Sequence, residues 1–241
     1  MIKLLHFSDA HIDIATQGKR DPKTGLPIRV MDFLRALDTI IDTAIDEKVD
    51  LVLFAGDAYK DRTPVPTFQR EWGRRIIRLS QAKIPTILLV GNHDISPAIG
   101  RASALHEFST LEIPYIHLIS QPSLITPAQI DNLPIQILAL PWVTKSGYLS
   151  TLQNEEIDPK NLDSSIEHIL TKIIDNLIDQ LDPTLPTIFT AHASIQGAVY
   201  GEERSIMLGQ DMILPINLVK RPIFDYVRSE EHTSELQSPN T

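Results

Sequence analysis

Apolar residues in the first part of the chain follow two alternating patterns. Short unbroken runs at residues 2–7 (IKLLHF), 51–55 (LVLFA) and 86–90 (TILLV) predict strands. Between them apolar positions recur every three or four residues. Val30, Phe33, Leu34, Leu37, Ile40, Ile41, Ala44 and Ile45 predict one helix, and residues 66–82, with Trp72, Ile76 and Leu79 on one side, predict a second. Strands that are apolar throughout and joined by helices predict a parallel sheet covered on both faces.

Downstream the pattern is less regular. Residues 114–119, 135–140, 187–191 and 223–227 predict further strands. Ser164-Ser165-Ile166-Glu167 has the form of a capping box, opening a helix that carries Ile166, Ile169, Leu170, Ile173, Ile174, Leu177, Ile178 and Leu181. Residues 143–163 read as irregular. Past Val227 the sequence turns polar, and Leu236 is the one large aliphatic among residues 228–241.

Composition narrows the class. The 241 residues suffice for a large core. No apolar run approaches the roughly 18 residues of a membrane span, and the N-terminus lacks the pattern of a signal peptide. There is no cysteine, which removes disulfides and thiolate metal sites. These features lead to the expectation of a cytoplasmic protein without membrane association. Net charge is −9; residues 228–241 hold one arginine against three glutamates, which leaves −7 for residues 1–227. An acidic chain is a poor non-specific nucleic-acid binder, but carboxylates that hold cations are neutralised in a working site.

The polar residues gather where strands end. The first run leads into Ser8-Asp9-Ala10-His11, the second into Gly56-Asp57, the third into Gly91-Asn92-His93-Asp94, and residues 187–191 into His192. Ligands of open α/β sheets collect outside the carboxyl ends of strands. Carboxylate, imidazole and amide oxygen together suit Mn²⁺, Fe²⁺ or Zn²⁺. Asp9 and His11, two apart in an extended segment, would point to one side. The glycines before Asp57 and Asn92 allow tight turns. Asp57 has two oxygens and could bridge two ions, as phosphoryl transfer between paired metals requires. A lone D-x-H or Gly-Asp is commonplace. The string GNHD behind an apolar strand is not, and the coincidence of all four strand ends points to a metal site.

These residues resemble the calcineurin-like metallophosphoesterases, whose pattern is D-x-H, G-D, G-N-H-D/E, H and G-H-x-H. LLHFSDAHID, LVLFAGDAYKDRTP, ILLVGNHD and LALPW are similar to the SbcD branch, the nuclease subunit of a bacterial DNA-repair complex. The resemblance spans residues 1–227. It implies an α/β fold: a layered metallophosphoesterase sandwich of mixed and parallel sheets flanked by helices, with the active site at the strand carboxyl ends. It implies Asp9 and His11 at a first metal, Asp57 bridging, and Asn92 and His192 at a second. His93 would be the general acid and Asp94 would orient it by hydrogen bond. The ions would be two divalent cations, Mn²⁺ by resemblance. The expected activity is two-metal phosphodiester hydrolysis, exonucleolytic on duplex DNA ends and endonucleolytic on single strands. The implied partners are DNA and an SbcC-like SMC-family ATPase, with the nuclease as a homodimer inside a heterotetramer. The alternative is a calcineurin-like phosphodiesterase acting on a small nucleotide. A non-catalytic subunit built on a decayed site is disfavoured by the intact D-x-H, GD and GNHD.

Other residues carry weaker expectations. Tyr59, Lys60 and Arg62 follow the bridging aspartate, and Tyr59 and Arg62 are candidate contacts to a phosphate backbone, although a solvated loop is the plainer reading. Arg204 invites the same caution. His6, His106, His117 and His168 read as structural or exposed. In SbcD-like chains the last strand continues into A-L-G-H-x-H; here Val227 is followed by RSEEHTSELQS, which looks like translated sequencing adapter. The expectation is an incomplete nuclease domain over residues 1–227 and a non-native disordered tail over 228–241. His232 is not assigned as a ligand, and the chain as written is expected to be impaired.

Overall fold

The computed structural model describes residues 1–12, 19–95, 102–142, 162–196 and 213–229. The chain forms two compact units, Met1–Leu118 and Ile119–Thr241.

In the first unit β1 (Leu4–Phe7), β2 (Leu51–Phe54), β3 (Thr86–Leu89) and β4 (Ile116–Ile119) lie side by side in that order, β4 reaching one residue past the boundary. The first three are parallel, with Phe7 opposite Phe54 and Phe54 opposite Leu88. Helix α1 (Ile28–Asp46) buries Val30, Leu34, Leu37, Ile41 and Ala44, a stripe at helical spacing. Helix α2 (Pro66–Gln81) begins with Pro66, whose missing N–H costs nothing in a first turn. Val52 and Phe54 of β2 join α1 and α2 in one core, where Phe54 packs 4.9 Å from the ring of Trp72. Leu51 and Leu53 point to the other face and are equally buried, which explains the unbroken apolar run. The short α3 (His106–Thr110) buries Phe108 in the same core.

The second unit holds β5 (Ser123–Ile125), β6 (Gln136–Leu140), α4 (Leu162–Ile178), β7 (Thr187–Ala191), β8 (Ser194–Ile195), β9 (Ile213–Leu214), α5 (Ile216–Val219) and β10 (Tyr226–Ser229). Its main sheet has the order β10-β7-β6-β5, with β6 and β10 parallel to β7 and β5 antiparallel to β6. Strands β8 and β9 form a separate parallel pair. The Gln136 side chain donates to the carbonyl of Asp182 at 2.8 Å and to Thr187 Oγ1 at 2.9 Å, and accepts from the Asp182 N–H at 3.0 Å. It thereby ties the start of β6 to the turn before β7. The expected α/β class, with parallel and mixed sheets flanked by helices, is what the chain adopts. Among the described residues no helix is long and apolar enough to cross a membrane.

Three expectations shift. Helix α4 opens at Leu162, so Ser164 lies inside it and is not its cap. The rest of the stretch read as irregular, 143–161, lies outside the described residues, as do Arg204 and His232. Strand β10 starts at Tyr226 instead of residue 223, because Pro222 and Ile223 sit in a turn. It runs on through Arg228 and Ser229, opposite Thr190 and Ala191. Backbone pairing asks nothing of side-chain polarity, so the polar residues after Val227 extend the ladder. Residues 230–241 lie outside the described residues.

Candidate metal centre

The loops after β1 and β2 run together past the end of the sheet. The N–H groups of Asp9, His11 and Ile12 donate to the carbonyls of Gly56, Asp57 and Ala58, each at 3.1 Å. Asp9, His11 and Asp57 have φ of 54°, 39° and 63°, and Gly56 between the strand and Asp57 has φ of 108°. Left-handed backbone at three non-glycine residues costs of order 1–3 kcal/mol each, and such strain concentrates at functional sites. Asp9 and His11 are therefore not in extended backbone as the spacing suggested. Their side chains nevertheless converge: His11 Nε2 lies 3.5 Å from Asp9 Oδ1 and 3.1 Å from Asp57 Oδ2.

The turn after β3 closes over Asp57. The His93 N–H donates to Asp57 Oδ1 at 2.9 Å. The Asp94 carboxylate is buried and accepts the N–H groups of Asp57 and Gly91, each at 2.9 Å, and of Ala58 at 3.0 Å. Asp94 was expected to orient the His93 ring; it instead clamps the loops after β2 and β3 through their amides. The ring is held by the Lys60 carbonyl, 2.6 Å from His93 Nδ1. A carbonyl can only accept, so Nδ1 carries the proton and Nε2 faces the cluster. His93 Nε2 lies 4.0 Å from Asp57 Oδ2 and the two imidazole rings are 5.1 Å apart. One donor atom each from His11, Asp57 and His93 fall within 4.8 Å of one another.

Charge is crowded here. Burial pulls the His11 pKa down, but the Asp57 hydrogen bond and the charges of Asp57, Asp9 and Asp94 outweigh it, and the net shift is upward. Burial raises the Asp94 carboxyl, and the charge of Asp57 adds to this against the three N–H donors. Both shifts describe a cluster that favours an added positive charge.

The donor set fits a divalent cation. Imidazole nitrogen and carboxylate oxygen are the ligands of Mn²⁺, Fe²⁺ and Zn²⁺. His93 Nε2 is buried and has no hydrogen-bond partner among the described residues. Asp57 is almost fully buried, whereas the Asp9 and His11 side chains stay 40% and 35% exposed, so the cluster opens on one side.

Six of the expected residues, Asp9, His11, Asp57, Asn92, His93 and Asp94, thus sit on three adjoining loops of the first unit, with Asn92 buried in the same turn as His93. His192 follows β7 in the second unit; its N–H donates to the Leu140 carbonyl at 2.9 Å and its ring meets Trp142 edge-on at 6.2 Å. Arg62 is exposed. Tyr59 is a correction: it is fully buried against Trp72, out of reach of a phosphate in solvent, and burial pushes its phenol pKa up. Two contributors went unnoticed in the sequence. Ser8 Oγ donates to Asp9 Oδ2 at 2.6 Å, and its position beside D-x-H was a usable signal. The Lys60 carbonyl is backbone and leaves no mark in residue type.

The family profile of the calcineurin-like phosphoesterases matches residues 2–229. The DNA double-strand break repair protein Mre11 of Methanosarcina mazei is 36% identical over 93 residues, 39% of this chain and 14% of that protein. Mre11 of Halobacterium salinarum is 36% identical over 94 residues, 39% of this chain and 22% of that protein. The aligned part is thus under a quarter of the length of either relative. Among solved structures, TT1561 of Thermus thermophilus matches with TM-score 0.45 at 15% identity, over 80% of this chain and 69% of that one.

Proposed function

The chain belongs to the calcineurin-like phosphoesterases, a family that hydrolyses phosphoester bonds, and from that premise we propose that it is a metal-dependent DNA nuclease of the SbcD and Mre11 kind. The observation that carries this reading is the convergence of His11, Asp57 and His93 within 4.8 Å at three strand ends. A nucleic-acid substrate is supported by the two relatives, both DNA double-strand break repair proteins.

Asp9 and His11 would hold one divalent ion and Asp57 would lie between two. Asn92 would serve the second, with His192 joining it on the strength of the resemblance. Two such ions, Mn²⁺ by the same resemblance, supply Lewis-acid stabilisation of the charge that develops on a phosphoryl group. His93 would handle a proton. With Nδ1–H fixed on the Lys60 carbonyl, Nε2 is the nitrogen that would give a proton to the leaving oxygen. Asp94 keeps Asp57 and the turn of His93 in register. The reading extends to an SMC-family ATPase partner and a homodimeric arrangement, both by resemblance.

The test is hydrolysis by EDTA-stripped protein given Mn²⁺, with linear duplex DNA, a cyclic nucleotide and bis-p-nitrophenyl phosphate as parallel substrates. Mn²⁺-dependent release of nucleotides from DNA is the expected result. Turnover of the cyclic nucleotide with intact DNA would replace this reading by a small-nucleotide phosphodiesterase.

A further inference from the structure

A second polar cluster of the first unit lies between α1 and α2 and shares no residue with the metal centre. Arg70, Arg74 and Arg75 converge on one carboxylate. Arg70 Nη2 and Arg74 Nη1 lie 2.9 and 3.1 Å from Glu71 Oε1, and Arg75 Nη1 lies 3.2 Å from Glu71 Oε2. Arg75 also reaches Asp38 of α1 at 2.8 Å. Arg78, one turn on, is matched by Asp38 and Asp42. Compensation is therefore uneven along α2. Arg75 and Arg78 reach carboxylates of α1, whereas Arg70 and Arg74 share Glu71.

These arginines rim a groove of about 270 Å³ floored by Leu26, Met31 and Leu34. Counting Glu71, its charged lining is net +2. Arg70 and Arg74 are 56% and 64% exposed, so their remaining N–H donors are open to a ligand. Arg75 is held in place, and its Nε–H is buried with no acceptor among the described residues. The charge of the whole chain gives this basic spot context. Residues 1–118 carry fifteen basic and fifteen acidic side chains, although Asp9, Asp57 and Asp94 are among the latter, while residues 119–241 carry seven against sixteen.

We propose that this groove is an exosite for nucleic acid, taking a backbone phosphate between Arg70 and Arg74 with the adjoining sugar over the apolar floor. The proposal rests on the DNA reading above. Guanidinium forks match phosphate oxygens, and an apolar floor beside them suits a nucleotide better than a free inorganic ion. Arg70 and Arg74 are one helical turn apart on the same face, so both can meet one phosphate or two neighbouring ones.

The experiment is fluorescence anisotropy of a labelled single-stranded deoxyoligonucleotide in EDTA, titrated across salt concentrations, with bis-p-nitrophenyl phosphate hydrolysis in Mn²⁺ run alongside. For Arg70→Gln/Arg74→Gln the slope of log affinity against log salt should shrink by about 0.7 for each phosphate that is no longer neutralised. Turnover of the small diester should be unchanged. Arg74→Gln alone leaves Arg70 and Arg75 on Glu71 and preserves the fold if the double variant does not; it should show about half the effect. Arg35→Gln, an exposed arginine of α1 paired with Asp32 outside the groove, should change nothing. An unaltered slope in Arg74→Gln, with wild type binding the oligonucleotide, overturns the exosite alone. Wild type that hydrolyses the small diester but binds no oligonucleotide overturns the DNA reading and the exosite together.

Discussion

The Asp94 carboxylate accepts N–H groups from the loops after β2 and β3, so a change there moves both loops at once. In Asp94→Asn the amide nitrogen would set a donor against backbone donors. The expected loss is about 1.5–3 kcal/mol, the range for hydrogen bonds to a charged group, read by urea unfolding in EDTA. Mn²⁺ affinity should fall about 10–100-fold, as for changes to residues that orient ligands. Stability within about 0.5 kcal/mol of wild type would show that the amides do not need the charge. His93 calls for a different measurement, because its Nε2 could ligate or protonate. If it protonates, His93→Gln should lose about 10²–10⁴-fold on DNA and far less on a p-nitrophenyl diester, whose leaving group needs no proton. Equal losses on both would make His93 a ligand. Residue types announced this centre: D-x-H, GD and GNHD all sit in it. The left-handed backbone at Asp9, His11 and Asp57 was not legible, since φ is positive at non-glycine residues only when surrounding structure imposes it. Tyr59 misled because a phenol after Gly-Asp reads as a loop residue, while its ring belongs to the core with Trp72.

Helix α2 shows at the next scale how packing and charge divide one element. Ile76 and Ile77 are neighbours of one type, yet Ile76 is fully buried and Ile77 is 38% exposed. Ile76→Ala should cost about 2–5 kcal/mol and Ile77→Ala no more than about 0.5, measured by denaturant unfolding. Comparable costs would contradict this division of the helix into a buried and an exposed face. The same helix carries a pH dependence. Burial works to raise the Glu71 pKa, but hydrogen bonds from Arg70 and Arg75 outweigh it and hold the folded value below the ordinary 4.5. A depressed carboxyl pKa contributes stability above the unfolded value and loses it as pH falls through the folded one. Glu71→Gln should therefore lower Tm near neutral pH, and its gap to wild type should close in acid; a gap constant with pH would mean that the arginines gain nothing from the charge. Long elements were legible because a buried stripe or a doubly buried strand repeats over many residues, and α1, α2, β2, β3 and β7 fall within a residue or two of their expected bounds. The brief β5, α3, α5 and the pair β8–β9 offer too few residues for any period. Pairing places the strands among them: Ser123, Leu124 and Ile125 of β5 lie opposite Ala139, Leu138 and Ile137 of β6, and Ser194 and Ile195 of β8 opposite Ile213 and Leu214 of β9.

Over the whole molecule, the division at Leu118 has no mark in composition, but charge follows it: residues 1–118 are neutral and residues 119–241 hold the entire −9. Two places could then attract a divalent ion, the ordered centre of the first unit and the diffuse acidity of the second. Only a site that folding creates stabilises the fold. Mn²⁺ at 100 times its Kd should stabilise by about 2.7 kcal/mol if it binds the native state alone, a gain that EDTA reverses. Thermal melts with and without Mn²⁺ read this directly. Asp57→Asn separates the two locations, because Asp57 is almost fully buried and touches His11 and the His93 amide. If the ordered centre binds the ion, the Mn²⁺-dependent rise in Tm should vanish in Asp57→Asn while the acidic second unit is untouched. A rise of the same size in that variant would place the bound ion outside the cluster of His11, Asp57 and His93, and the proposed metal chemistry would lose its seat.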